Sequence, residues 1–372
     1  MKIRLILTLA LAGLVVAACT TAPTPAPTEA SPTAAAEPAA TTPPASGRVV
    51  TVMTHDSFSI SEEVVARFQA QCGCTVQFLK SGDTGLALNK AILSKNNPLA
   101  DVFFGVDNTY LSRALAGDIF EPYASPLLAQ LPDELKVDDT NRLLPVDFGY
   151  VTLNVDSQYF TDNNIPLPAG LAQLADPAYE GMLVVENPAT SSPGLSFLLA
   201  TVATFGETGD YTYLDFWRDL RANDVLISEG WEDGYYGQFS GGSGEGDRPM
   251  VVSYATSPAA EVFFADPQPE ESPTANLFLP GGSFKQIEFV GILKGARAPD
   301  LARQWVDFML GPDFQADIPL QMWIYPAHPG APLPEVFTKH AAVPEVAQGL
   351  TPEQIAAGRE GWIQAWTDAV LR

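Results

Sequence analysis

Three short segments place hydroxyl or carboxylate side chains directly before a predicted helix start: Ser81-Gly82-Asp83-Thr84-Gly85, Thr190-Ser191-Ser192-Pro193-Gly194 and Ala255-Thr256-Ser257-Pro258. In the last two, serine at the cap and proline at the first helical position form a helix-start signal. Free backbone N–H groups meet the positive end of the helix dipole there, so each start can receive a polar or anionic ligand group. Plain helix capping is the alternative use of the same residues. Aromatic side chains sit close by in the sequence: Trp231, Tyr235 and Tyr236 in a run from 229 to 237, Tyr254 just before the third segment, and Trp323 with Tyr325 toward the C-terminus. Rings on the walls of a cleft can sandwich a flat heterocycle and attract a cation through their faces. The run 229–237 is too polar and glycine-rich for a core element, which favours such a wall. Nucleophilic or metal chemistry finds little support. The cysteines are Cys19, Cys72 and Cys74, the run 241–247 lacks the lysine of a phosphate-cradling loop, and His328 and His340 stand too isolated for zinc. Neither a metal site nor a cofactor is predicted.

The elements that must hold these segments alternate strand and helix. Strand runs at 48–54, 75–79 and 100–105 alternate with helical periodicity over 62–71, 84–95 and 108–116, the pattern of a mostly parallel sheet covered by helices. An apolar, β-branched stretch over 144–154 reads as a crossover. After it the pattern starts afresh, with a strand at 182–186, helices at 193–205 and 211–222, and a strand at 250–254. The chain returns through 284–293 to a helix over 300–310 and ends in a helix carrying Trp362 and Trp366. The fold class is therefore α/β, with two parallel-sheet lobes joined by hinge crossovers. Lobe 1 combines 48–152 with 283–372, and lobe 2 is 153–282.

The N-terminus reads separately. Met1-Lys2-Ile3-Arg4, an apolar run over 5–16 and Val16-Ala17-Ala18-Cys19 follow the order of a bacterial lipoprotein signal. Residues 1–18 are thus expected to be a signal peptide and Cys19 the lipid-bearing N-terminus. Residues 19–47, almost entirely Thr, Ala, Pro and Ser, form a spacer too polar and proline-rich to build a core. No later run reaches the roughly 18 to 20 apolar residues that span a bilayer. Attachment to the membrane through the lipid, with the body outside the cytoplasm in the periplasm or at the cell surface, is the resulting expectation. A chain of 372 residues that is 46% hydrophobic is not globally disordered. Against 44 acidic residues stand 20 basic ones, a net charge of −24 with no basic block, which speaks against nucleic acid as a partner.

As a set, the stretches Thr54-His55-Asp56-Ser57-Phe58, Gln71-Cys72-Gly73-Cys74, Pro188-Ala189-Thr190-Ser191-Ser192-Pro193-Gly194, Ser253-Tyr254-Ala255-Thr256-Ser257-Pro258, Trp323-Ile324-Tyr325-Pro326 and Gly361-Trp362-Ile363-Gln364-Ala365-Trp366 resemble the thiamine-binding receptors of bacterial ABC importers. The likeness runs in the same order from about Val50 to Arg372. It implies a two-lobed periplasmic-binding-protein fold of type II that closes on thiamine or a thiamine phosphate, acts as a monomer without enzyme activity, and delivers its ligand to a membrane permease. By position it carries ligand contacts to Asp83, Thr84, Ser191, Ser192, Trp231, Tyr254, Ala255, Thr256 and Ser257. His55, Asp56, Tyr235, Tyr236 and Trp323 are further candidates. On this likeness Trp231 faces the aminopyrimidine or the thiazolium, the hydroxyls meet ring nitrogens or the ligand's tail, and Asp83 accepts from the amino group or offsets the cationic ring.

Three positions depart from the family pattern. His55 stands where a tyrosine is usual, a tryptophan-bearing insertion after Phe58 is absent, and Ala260 stands where an aromatic follows the Ser-Pro pair. Each ring is worth on the order of 1 kcal/mol of stacking, so these changes bear on which thiamine vitamer is preferred. Cys72-Gly73-Cys74 also occurs in the family, and a local disulfide or two free thiols are both open. Two rival functions share the broad fold. A ferric-ion receptor would draw on Tyr235, Tyr236, His55 and an acid such as Asp83 or Asp107. A thiamine-cleaving enzyme would need a cysteine nucleophile.

Overall fold

Apolar, β-branched runs form eleven strands among the described residues: β1 (Val49–Thr54), β2 (Thr75–Lys80), β3 (Val102–Asp107), β4 (Phe120–Glu121), β5 (Leu144–Asp156), β6 (Leu183–Glu186), β7 (Leu226–Ser228), β8 (Met250–Tyr254), β9 (Thr274–Leu277), β10 (Phe284–Leu293) and β11 (Tyr325–Pro326). The structure is a computed structural model, and it describes residues 47–344 and 350–372. The expected signal peptide, Cys19 and all but the last spacer residue lie outside the described residues.

One mixed sheet takes the order β2-β1-β3-β10-β5-β8-β6-β7, with β4 beside β10 and with β9 and β11 beside β5. β1 runs parallel to β2 and β3, and β6 parallel to β7 and β8, as alternating strands and helices require. The crossovers depart from a purely parallel reading. β5 and β10 run antiparallel to each other and to β8 and β3 respectively, because one carries the chain out of the first wing of the sheet and the other brings it back. β5 has 13 residues, roughly 40 Å of extended chain, and serves both wings. Its first part pairs with β10, and its second part pairs with β8 and β9.

Helices cover the sheet. Helix Glu62–Cys72 starts at the Ser61 cap and stops at Gly73, whose φ of 59° favours glycine. Cys72 and Cys74 are joined as a disulfide across that glycine. The helix Pro299–Leu310 returns to the first wing, where Trp305 meets Phe68 edge-on with ring centroids 4.9 Å apart. In the second wing, helix Ser192–Phe205 is buried without a break from Ser192 to Val202, so its apolar residues need no polar face. Helix Pro352–Val370 begins with a capping box between Thr351 and Gln354 and brings Trp366 edge-on to Trp217 of helix Tyr213–Ala222, at 5.5 Å. No helix among the described residues is long and apolar enough to cross a membrane.

Two helix starts fall one residue earlier than expected. Ser191 and Thr256 are the caps, the following prolines occupy the second helical position, and neither cap side chain bonds its own helix. The Thr256 hydroxyl donates instead to the Trp323 carbonyl at 2.5 Å. The Ser191 hydroxyl is buried and turns to the Asp83 carboxyl.

Candidate functional site

A cavity of about 390 Å³ opens between the two wings. All three helix starts reach it, through Asp83 and Thr84, Ser192, and Thr256 and Ser257. The wings also touch at its back. The Gly85 N–H donates to the Thr190 carbonyl at 2.9 Å, and a Cβ on Gly85 would sit 2.6 Å from the Tyr110 hydroxyl, so only glycine permits this approach. The Ser192 hydroxyl bonds Asp107 across the same gap. Asp83 caps helix Thr84–Leu93 by accepting from the Thr84 N–H at 2.7 Å, and its other oxygen accepts from the Trp231 N–H at 3.2 Å.

One wall is aromatic. Trp231 stacks on Tyr235 with centroids 5.2 Å apart, and Tyr236 and Tyr254 meet it edge-on at 5.4 and 6.1 Å. The indole N–H donates to the Ser253 hydroxyl at 2.9 Å, which fixes the ring. The expectation that the run 229–237 avoids the core needs correction. Asp233–Gln238 winds into a π-helical turn that sends Tyr235 inward, 2% exposed and packed with Val184, Phe239 and Val251, while Tyr236 stays 46% exposed. The Tyr235 hydroxyl donates to Glu261 at 2.8 Å. Ser243 donates to the same carboxylate at 2.8 Å, which ties the glycine-rich loop 241–247 to the cavity. Trp323 borders the cavity too, but its ring is stacked on Phe337 at 5.7 Å and packed against Phe263 and Phe264.

The floor is acidic. Glu288 lines the cavity, Asp107 and Asp147 flank it in register on β3 and β5, and Glu186 closes β6 nearby. Burial pushes all four carboxyls above the usual carboxylate range, and Asp147 adds repulsion at Glu288. Asp83 is raised by burial as well, and hydrogen bonds from the Ser191 hydroxyl and from the N–H groups of Thr84 and Trp231 pull it partly back. His55 takes its place beside Glu288, its Nε2 3.6 Å from Oε1. Burial, with Lys80 nearby, lowers its pKa to about 4, so the imidazole is neutral at neutral pH. Gly105, at φ 107°, leaves the room for that ring, since a Cβ there would lie 2.5 Å from it. None of the lining residues is a lysine or arginine. The site therefore offers rings, hydroxyls and acids, and no fixed positive charge.

Of the residues expected at the site, Asp83, Thr84, Ser192, Trp231, Tyr254, Thr256, Ser257, His55, Tyr235, Tyr236 and Trp323 line this one cavity. Ser191, Ala255 and Asp56 do not. Ser191 and Ala255 are wholly buried, and Asp56 accepts from the Gly82 N–H at 2.8 Å. Ala260 lines the cavity, so the small side chain there leaves open space in the wall. Sequence reasoning missed Glu288, Asp147, Glu186 and Glu261. A lone acid inside an apolar strand, as Asp147 and Glu288 are, was the available signal.

Two α/β wings joined by antiparallel crossovers around a ligand-sized cavity define a solute-binding protein of the periplasmic type II class. The chain belongs to the bacterial extracellular solute-binding protein family, which it matches over residues 97–347. It is 31% identical over 333 residues to a thiamine-binding periplasmic protein of Brucella suis, covering 87% of this chain and 92% of that one. It is 30% identical over 329 residues to a thiamine-binding periplasmic protein of Salmonella typhimurium, covering 87% and 94%. Among solved structures, a periplasmic thiamin binding protein superposes with a TM-score of 0.76 at 27% identity, covering 88% of this chain and 97% of that chain. Each of these relatives is named as a periplasmic binding protein.

Proposed function

We propose that this protein captures thiamine, or a thiamine phosphate, in the cleft and hands it to the permease of an ABC importer. The observation that carries the reading is a single cavity combining stacked rings with uncompensated acids, in a chain 31% identical to a protein named for thiamine binding. Thiamine joins a flat aminopyrimidine to a cationic thiazolium, and both halves suit that lining. In this reading lobe 1 (48–152 with 283–372) closes on lobe 2 (153–282) by bending at β5 and β10. Ligand contacts from both wings favour the closed form that a permease recognises. A lipid on Cys19, after loss of residues 1–18, tethers the monomeric body to the membrane through the spacer 19–47.

The ferric reading fits less well. Iron ligation needs free tyrosine oxygens, and the Tyr235 hydroxyl is committed to Glu261 and the Tyr254 hydroxyl to Gln286. The enzyme reading lacks its nucleophile at the cavity, since Cys72 and Cys74 are bonded to each other and neither lines it. Calorimetric titration of the purified, ligand-stripped protein with thiamine tests the proposal. One-to-one binding with a micromolar or tighter Kd is expected. No heat together with no thermal shift overturns it.

A further inference from the structure

Three carboxyls lie side by side on β3, β10 and β5, the last two being the strands that join the wings. Glu288 of β10 is paired with Asp107 of β3 on one side and with Asp147 of β5 on the other. Residues directly opposite one another project from the same face of a sheet, so the three form a row. Glu288, 5% exposed, borders the cavity, and the other two are fully buried behind it. Asp107 is bonded by Thr109 and Ser192. Asp147 receives no hydrogen bond from an N–H or hydroxyl group, and its partner is the Glu288 carboxyl itself.

The groups around the row do not neutralise it. From the end of β1, His55 presents a buried Nε2 that lacks a hydrogen bond, and the charged groups acting on that imidazole are Lys80 and Asp56. From the helix start comes one more acid, Asp83. From β8 comes the Tyr254 phenol. Arg359 of the C-terminal helix lies over the Tyr110 ring, 4.4 Å from its centroid, and pairs with Glu360 at 2.5 Å. Lys285 on β10 sits over Phe148, 4.9 Å from the ring centroid. Buried carboxylates without a base are strongly disfavoured, so an empty cleft keeps protons on the row.

We propose that the row Asp107, Glu288 and Asp147 supplies the counter-charge for the ligand, so that the cleft selects a permanent cation over a neutral molecule of the same shape and takes it up in exchange for a proton. The inference rests on the thiamine reading and adds to it which feature of thiamine is selected. A thiazolium beside Glu288 stabilises the ionised carboxylate, and the displaced proton passes to the solvent. The raised affinity of Glu288 for its proton, caused by burial and by Asp147 and Asp107, agrees with this exchange. Release of one proton makes the association constant climb up to about tenfold per pH unit, in the window above the ordinary carboxylate pKa where the empty cleft is protonated and the filled one is not.

The test is titration of the full chain with thiamine and with its deaza analogue, in which carbon replaces the quaternary nitrogen and the ring is a neutral thiophene. Both are run between about pH 6 and 8, in two buffers of different ionisation enthalpy, which reads the protons exchanged. Thiamine is expected to bind at least tenfold more tightly than the analogue, to release on the order of one proton, and to tighten as pH rises; the analogue releases none. Glu288→Gln is expected to narrow the gap between the two by weakening thiamine. Equal binding of both without proton exchange overturns the inference and leaves the thiamine reading standing. Binding of neither overturns both. The comparison of ligands on the unaltered protein decides the matter even where Glu288→Gln fails to fold.

Discussion

The aromatic wall and the acid floor of the cleft are built in opposite ways. The wall is local: Trp231, Tyr235 and Tyr236 come from one short run, held by a π-helical turn and by hydrogen bonds to Ser253 and Glu261. The floor is assembled from distant strands, and only the register of β3, β10 and β5 places Asp107, Glu288 and Asp147 together. The wall is therefore a matter of shape and packing, complete in the empty protein. The floor is a matter of charge, and burial keeps protons on it until a cation arrives. Wall variants should weaken all ligands of the right shape alike, and floor variants should act through charge and pH.

The largest expected effect belongs to the floor and is read without ligand. His55 is held near a pKa of about 4 when folded, against 6.5 when free, so between these values the unfolded chain binds a proton that the folded one refuses. Stability from this residue is complete above pH 6.5 and is lost as pH falls toward 4, by up to about 3 kcal/mol. The raised acids act in the opposite direction, since the folded chain keeps protons that the unfolded one has shed, and they weaken the empty protein as pH rises above about 4. Thermal unfolding of the unaltered protein and His55→Gln at several pH values isolates the histidine. Equal acid sensitivity of the two would contradict its role. Next in size is Trp231→Ala, expected to weaken thiamine and the neutral deaza analogue alike by tenfold or more, about 1.4 kcal/mol. An unchanged Kd would place the ligand away from the wall, and loss confined to the cation would merge wall and floor into one charge effect. Tyr235→Phe comes last, removing the bond to Glu261 and costing about 1 kcal/mol of stability in denaturant unfolding.

The same contrast governs how much could be read from the sequence. Periodicity located both crossovers, because β5 and β10 are long apolar runs, and three cap-like segments pointed to helix starts that do meet at one cavity. The rings of the wall were visible because they are neighbours in the chain. Their directions were not, since composition marks the run 229–237 as polar while the turn geometry buries Tyr235 and leaves Tyr236 outside. The floor was invisible for a different reason. Each acid looks like an isolated exception in an apolar strand, and cross-strand register is not encoded in local spacing. The shift of both caps by one residue has a related origin, because the hydroxyls of the expected caps, Ser192 and Ser257, are drawn to partners outside their helices, Asp107 and the Ser253 hydroxyl.

A crystal structure of the protein with thiamine bound tests the account most directly. The account predicts a ring of the ligand against Trp231 and the quaternary nitrogen within about 5 Å of the Glu288 carboxylate, the range in which opposite charges shift each other's ionisation. Thiamine bound with its charged ring at the cleft mouth, and with Glu288 and Asp147 untouched behind it, would contradict it.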